Sequence, residues 1–248
     1  MKQEKDANSQ VEPPPSLVLK IQRSLRRRGL KGTIRLAALK GLDRLQGAIF
    51  DRRFGVETSG NVELQDLEIA SPDVVHGIRY QPTPARAFEE VVAALNINVR
   101  DFVLVDFGCG KGRTLLLAAK MGFKKAIGVE FSRDLASIAV ANAKRMGVED
   151  KVEVVHQDAS LFVPPVEKCV FYFFLPFLDP VMNVVLENIK RSIDAHPREF
   201  RIALYDPPRR ENLEGDSAFK RVAQASSYVI YGPGGHKPQP AASLQTNV

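Results

Sequence analysis

Only two cysteines, Cys109 and Cys169, occur in 248 residues. That is too few for a disulfide framework and points to a reducing compartment. No apolar run approaches the ~20 residues that a membrane-spanning helix needs. The opening MKQEKDANSQVEPPPS is polar and lacks the apolar core of a secretory signal. His76, His156, His196 and His236 show no metal-ligand spacing with either cysteine, and no internal repeat is visible. These absences exclude a secreted disulfide scaffold, a membrane span, a zinc site and a repeat array. What is present, 44% hydrophobic and 26% charged residues, describes an ordinary soluble globular chain, expected in the cytoplasm. Its length suffices to bury roughly three quarters of the unfolded surface without staples.

The net charge of +6 is unevenly spread. Residues 16–53 hold eleven Lys and Arg against Asp43 and Asp51 alone. Everything from Phe54 onward sums to −2. The basic character therefore belongs to one segment. Within it Leu17, Ile21 and Leu25 lie four apart, and after Gly29 and Gly32 a second stripe runs through Ile34, Ala38, Leu42, Leu45 and Ile49. Two amphipathic helices are predicted. A solvated face over helices packed on the main domain is the commonplace reading of such a run. An anionic membrane surface or an acidic protein is the alternative, ahead of nucleic acid, because Phe50 is the only aromatic in the segment. A peripheral membrane location stays open on that basis.

Residues 1–15 end in Pro13-Pro14-Pro15 and are expected to be disordered, as is the tail 232–248. Residues 16–79 read as a basic helical extension and linker, irregular from 51 onward. Thr83 followed by Pro84 predicts a helix start, with Thr as N-cap and Pro in the first turn. Phe88, Val91, Val92 and Leu95 would bury that helix. From Asp101 the pattern alternates. Strand-like runs at 102–107, 125–131, 152–156, 169–174 and 201–205 are separated by helix-like segments at 111–121, 133–146 and about 179–195. Residues 222–231 add one or two strands. Such alternation predicts an α/β fold with a doubly wound, mostly parallel sheet.

The chemistry concentrates in Val103-Leu-Val-Asp-Phe-Gly-Cys-Gly-Lys-Gly-Arg113. An apolar strand runs into Gly108, Gly110 and Gly112 and then straight into a helix. The dinucleotide fingerprint would need a glycine at position 113, which is Arg113. Asp106, two residues before the first glycine, is poorly placed beside a pyrophosphate and well placed beside a cationic amino group. S-adenosylmethionine is a ligand of that kind. Glu130 ends the second strand, where a carboxylate can accept ribose hydroxyls, and Asp158 follows the third, where it can take an adenine amino group.

These residues resemble the class I S-adenosylmethionine-dependent methyltransferase superfamily over roughly residues 80–231. The first motif is D-F-G-C-G-K-G, the next G-V-E, the third Q-D-A. The resemblance implies a Rossmann-like, seven-strand, mostly parallel sheet carrying an N-terminal helical extension, with S-adenosyl-L-methionine as cofactor and no metal. It implies cofactor contacts from Tyr80, Thr83, Asp106, Gly108, Cys109, Gly110, Gly112, Glu130, Asp158 and Ala159. Tyr80-Gln-Pro-Thr-Pro84 ahead of D-x-G-x-G-x-G-R looks like the seven-strand protein-lysine methyltransferases, in which this segment packs over the cofactor. All these motifs lie beyond Arg79, so residues 1–50 are expected to be dispensable for cofactor binding.

The methyl acceptor in this fold approaches the end of the fourth strand, here Phe171-Tyr-Phe-Phe-Leu-Pro-Phe177. Enzymes that methylate amide or base amino groups often place Asn or Asp where this chain has Leu175. Leu175, Pro176 and Phe177 are therefore read as an apolar acceptor-site wall, together with Phe174. Phe171 and Phe173 read as buried strand residues. Asp206-Pro207-Pro208 looks like the missing acceptor motif but follows the wrong strand and lacks the aromatic, so a strand-end turn is the better reading. A protein lysine is the expected acceptor. Transfer to a small molecule or to RNA, or cofactor binding without transfer, stays open.

Overall fold

The structure, a computed structural model, describes residues 17–60, 80–174, 179–206 and 213–235. The expected disordered stretch 1–15, the wall at Leu175, Pro176 and Phe177, and nearly all of the tail lie outside the described residues. The chain divides into two compact units, Met1–Leu45 and Gln46–Val248.

Helix α1, Leu17–Phe54, departs from helical geometry at Gly29, where φ is 67° and ψ is 178°. Only a residue without Cβ adopts that backbone readily, so the two predicted helices meet at this kink. Gly32 stays helical. The larger unit then alternates: α2 (Ala85–Ala94), β1 (Val103–Phe107), α3 (Arg113–Met121), β2 (Lys125–Glu130), α4 (Arg133–Met146), β3 (Val152–His156), β4 (Cys169–Phe174), α5 (Asp179–Ala195), β5 (Phe200–Tyr205), β6 (Phe219–Gln224) and β7 (Tyr228–Pro233). The seven strands form one sheet in the order β3-β2-β1-β4-β5-β7-β6. The first five pair in parallel, while β7 runs antiparallel to both β5 and β6. This is the doubly wound, Rossmann-like sheet expected from the sequence. The apolar stretch 222–231 resolves into two strands joined by a hairpin.

Both faces of the sheet are covered, which is why β1 and β4 are apolar almost throughout. On one face Phe107, Phe171 and Phe173 pack toward Val185 and Ile189 of α5, with the Phe107 and Phe173 rings stacked at 4.9 Å. On the other, Leu104, Val170 and Tyr172 meet Phe88 and Val91 of α2 and Leu115 of α3. Phe171 and Phe173 are thus buried strand residues, as read from the sequence. Helix α2 begins one residue later than predicted. Pro84 is its N-cap and no side chain caps it, because Thr83 is turned inward and buried. Helix α3 starts at Arg113 rather than 111, since Gly112 in the left-handed region (φ 82°) forms its N-cap.

The compact unit reaches further toward the N-terminus than residue 80. Phe50 and Phe54, their rings 4.9 Å apart, pack on the small cluster of Val56, Leu116 and Ala143. The last turns of α1 therefore belong to the body that carries the sheet.

Candidate active site

Strand order reverses direction between β1 and β4, and ligands of open α/β sheets bind beyond the carboxyl ends of strands at such a switch point. Asp106, Glu130 and Asp158 come off the ends of β1, β2 and β3 at this edge. Register places Asp106 between Gly128 and Tyr172.

Asp106 and Glu130 are each 3% exposed. Thr114, in the first turn of α3, donates its hydroxyl to Asp106 Oδ2. Glu130 Oε2 accepts the Gly110 N–H at 2.8 Å and Oε1 accepts the Ser132 N–H at 3.0 Å. Glu130 thereby ties the glycine loop to the start of α4. Burial pushes the Asp106 carboxyl up to about 7, with Thr114 opposing and the nearby Glu130 adding to the rise. Burial likewise pushes Glu130 up to about 7, against the backbone donors that hold it down. Two buried carboxylates side by side, each held up by desolvation, form a site that favours a cation.

The loop itself discriminates between ligands. Gly108 and Cys109 both donate their N–H groups to the Val129 carbonyl, Gly110 donates to Glu130, and Gly112 donates to the Cys109 carbonyl. A phosphate-cradling loop leaves such donors pointing at the ligand. Here they are spent within the fold. A ligand with an ammonium group and hydroxyls fits these residues, and a pyrophosphate does not. S-adenosylmethionine, with an ammonium group and ribose hydroxyls, meets that requirement, and the Glu130 oxygens each keep a second lone pair.

The remaining predicted contacts fall into two groups. Tyr80 lies over the loop so closely that a Cβ on Gly110 (φ 54°) would sit 2.1 Å from Tyr80 Cε2. Its hydroxyl donates to the Thr58 carbonyl at 2.8 Å, and burial pushes that phenol well above its usual range. Asp158 follows β3 as the N-cap of the short 3-10 helix Ala159–Leu161, and the Gln157 N–H before it donates to the Glu130 carbonyl at 3.0 Å. Asp158 Oδ1 accepts both the N–H and the hydroxyl of Ser160, at 2.8 and 2.7 Å, and Ala159 beside it is buried. Cys109 differs. Its side chain points into the fold against Gly128, where a Cβ would meet Sγ at 2.5 Å, and burial raises its thiol far above the ordinary value. Any contact from Cys109 to a ligand would have to come from its backbone.

Sequence reasoning missed a latch on the outer side of the loop. Arg113, 5% exposed, donates from Nε to Thr58 Oγ1 at 2.8 Å and from Nη2 to Ser59 Oγ at 2.9 Å. Asp51, near the end of α1, accepts the Thr58 hydroxyl at 2.5 Å and the N–H groups of Thr58 and Ser59 at 3.0 and 2.7 Å. Its carboxylate lies 3.9 Å from the Arg113 guanidinium. Buried Asn142 of α4 accepts the Glu57 N–H and donates to the Glu57 and Lys111 carbonyls. Lys111 reaches Glu57 Oε1 at 2.6 Å. Residues 51–59 are thus strapped across Lys111 and Arg113, which alternate with the glycines. Gly47 and Phe50, at the end of the stretch expected to be dispensable, belong to the larger unit and lie beside this strap. A Cβ on Gly47 would meet Arg113 Nη2 at 2.9 Å. Only Thr114, eight residues after Asp106 in the first helical turn, could have been picked out from spacing.

At the acceptor edge, the half-buried Phe174 ring packs edge-on against Tyr205 at 5.0 Å. Asp206 follows in the left-handed region, φ 47°, with its N–H donated to the Ser227 carbonyl at 2.6 Å. It is a strand-end bend, as expected. Among the described residues no His, Cys, Asp and Glu cluster could hold a metal ion.

Parts of the chain are similar to known proteins. Residues 104–195 match a family described as a methyltransferase domain. A protein-lysine N-methyltransferase of Saccharolobus islandicus is 28% identical over 134 residues, covering 52% of this chain and 81% of that protein. A ribosomal protein L11 methyltransferase of Colwellia psychrerythraea is 40% identical over 58 residues, covering 23% of this chain and 20% of that protein. The chain thus spans about a fifth of the latter's length. Among solved structures, an RNA methyltransferase from Salinibacter ruber in complex with S-adenosyl-L-homocysteine aligns at a TM-score of 0.43 and 21% identity, over 65% of this chain and 98% of that one.

Proposed function

We propose that this chain is a class I S-adenosylmethionine-dependent methyltransferase, in keeping with the methyltransferase-domain match over residues 104–195, and that the acceptor of its methyl group is the side-chain amine of a protein lysine. The observation that carries this reading is the extent of the likeness to the protein-lysine N-methyltransferase, which spans 81% of that protein. The likeness to L11 methyltransferases, which also modify a protein, supports a protein acceptor but rests on a fragment around the cofactor motifs.

The chemistry agrees. The cofactor supplies a methyl group on a positively charged sulfur. This chain's residues bind and orient it: Asp106 faces the amino group, Glu130 the ribose, and Tyr80 covers the loop. Methyl transfer is an in-line displacement that relieves charge, so positioning and exclusion of water carry much of the rate. The Phe174–Tyr205 pair presents an aromatic edge beside the end of β4, and a lysine entering such surroundings is more readily neutral, since desolvation lowers an ammonium pKa. A flexible amine needs no amide-binding fork, in keeping with Leu175 at that position in the sequence.

The test is mass spectrometry of whole-cell proteins incubated with this enzyme and isotopically labelled cofactor. Label on lysine ε-amines that disappears with Asp106→Ala is the expected result. Label confined to RNA, to small molecules or to N-terminal amines would overturn the lysine assignment.

A further inference from the structure

The portion of α1 between Leu30 and Leu45 exposes an apolar stripe among the described residues. Leu30, Ile34, Leu42 and Leu45 are 67, 59, 40 and 58% exposed. At 100° per residue these four and Ala38 fall in an arc of roughly 120°. Arg35 borders one edge of that arc, Arg44 and Lys40 lie beyond the other, and Lys31 rises within it. All four cations are exposed, and none is paired with a carboxylate among the described residues. From residue 16 to residue 45 the sequence holds nine Lys and Arg against Asp43 alone.

We propose that this helix lies flat on a bilayer surface rich in anionic lipid, with the leucine and isoleucine stripe sunk among the acyl chains and the flanking cations at the phosphates. The charge pattern selects this occupant. A stripe bordered on both sides by long cationic side chains suits an interface where the stems lie along hydrocarbon and the heads reach the phosphate layer. A second copy of the helix would bring two strongly basic faces together. Single-stranded RNA would call for stacking groups, and no aromatic residue occurs between positions 17 and 45. No helix among the described residues is long and apolar enough to cross a membrane, so the helix rests in the plane of the surface. The rest of the chain from Phe54 is net acidic, which assigns the attraction to this segment.

The experiment is co-sedimentation of the full chain with two kinds of vesicle, pure phosphatidylcholine and phosphatidylcholine with about 30 mol% phosphatidylglycerol. Binding should be at least about tenfold tighter to the anionic vesicles and should fall at least about tenfold between low and high salt. The double substitution Ile34→Asp with Leu45→Asp should abolish it. Both side chains are exposed, and an unchanged melting temperature with an unchanged cofactor-induced shift would show that this variant is folded. Equal binding to neutral vesicles, no binding to either, or undiminished binding by the folded double variant would each overturn the proposal. Tighter binding to polyuridine or to polyglutamate than to the anionic vesicles would likewise overturn it. The readout needs no methyl transfer, so it is independent of the acceptor.

Discussion

Arg113 and Thr58, fifty-five positions apart in sequence, are joined by a 2.8 Å hydrogen bond from the guanidinium Nε to the threonine hydroxyl. Because Arg113 also opens α3 directly after the glycine loop, this bond couples the loop to the strap that ends α1. Hydrogen bonds to a charged group contribute about 1.5–3 kcal/mol each when buried. Arg113→Ala leaves the buried Thr58 hydroxyl and the partly buried Ser59 hydroxyl short of a donor and should destabilise the fold by about 2–3 kcal/mol. Arg113→Lys, which lacks the fork, should recover only part of this. Denaturant melts of the three proteins decide it, and a loss under about 0.5 kcal/mol, the range of ordinary surface changes, would contradict the latch.

Truncation tests the same strap at lower resolution. Removing residues 1–45 should leave cofactor affinity unchanged, because that stretch is a unit by itself. Removing residues 1–60 takes away Asp51, Thr58 and Ser59 and the carbonyl that receives Tyr80. Affinity should then fall by about tenfold or more, equal to ~1.4 kcal/mol or more. Titration calorimetry of both truncations checks this. Equal affinities would show that the strap does not serve the cofactor site.

The contact between Gly110 and Tyr80 predicts a coupled pair. Gly110→Ala places a Cβ 2.1 Å from the Tyr80 ring at a backbone φ of 54°. The clash and the left-handed backbone together should cost about 2–4 kcal/mol. Adding Tyr80→Ala removes the clash but not the backbone strain, so the double variant should be more stable than the sum of the single losses implies. A double-mutant cycle from thermal melts, with cofactor binding measured alongside, reads the coupling. Simple additivity would show that the ring is not what excludes a side chain at 110.

Acid chemistry at Asp106 and Glu130 gives a pH signature of unusual sign. Both carboxyls are raised to about 7 in the folded protein, whereas unfolded chains release these protons near ~4. Between roughly pH 4 and 7 the native state therefore holds more protons than the unfolded state, and these groups' share of stability falls as pH rises through that window. Asp106→Asn should lessen this decline, so that its stability relative to the parent protein improves from about pH 5 to about pH 8. Cofactor affinity runs the other way. If ionised Asp106 and Glu130 hold the ammonium and ribose as proposed, parental affinity should climb through about pH 7 and level off, while Asp106→Asn binds weakly throughout. Urea melts and calorimetry at several pH values measure both slopes. A stability of Asp106→Asn relative to the parent that falls or stays flat as pH rises would refute the assignment.

Activity should have a separate and higher pH dependence. A free lysine ammonium has pKa ~10.4, so a rate limited by the neutral amine rises from about pH 7 through about pH 9, above the range in which cofactor binding saturates. Steady-state rates at saturating cofactor check this. A rate that plateaus near pH 7 would point to an acceptor that is neutral there.

The local sequence determined the alternation of strands and helices, the break at Gly29, the glycine loop and the carboxylates at three successive strand ends. Each is legible because it depends on residues within a few positions: apolar runs of strand length, a glycine where the backbone takes a positive φ, an acid at a strand terminus. Only the tertiary structure decided what those groups touch. Asn142 meets Glu57 across eighty-five positions, and Arg113 finds Ser59 across fifty-four, distances at which no periodicity carries information. Thr83 reads locally as a helix cap, yet packing turns it inward. Cys109 sits inside the motif, yet its side chain fills the space left by Gly128. That the loop's N–H groups are consumed by Val129, Glu130 and Cys109 could not be read from glycine spacing either. It follows from how closely β1, β2 and α3 pack, and it is what makes this cradle suit a cationic ligand rather than a phosphate.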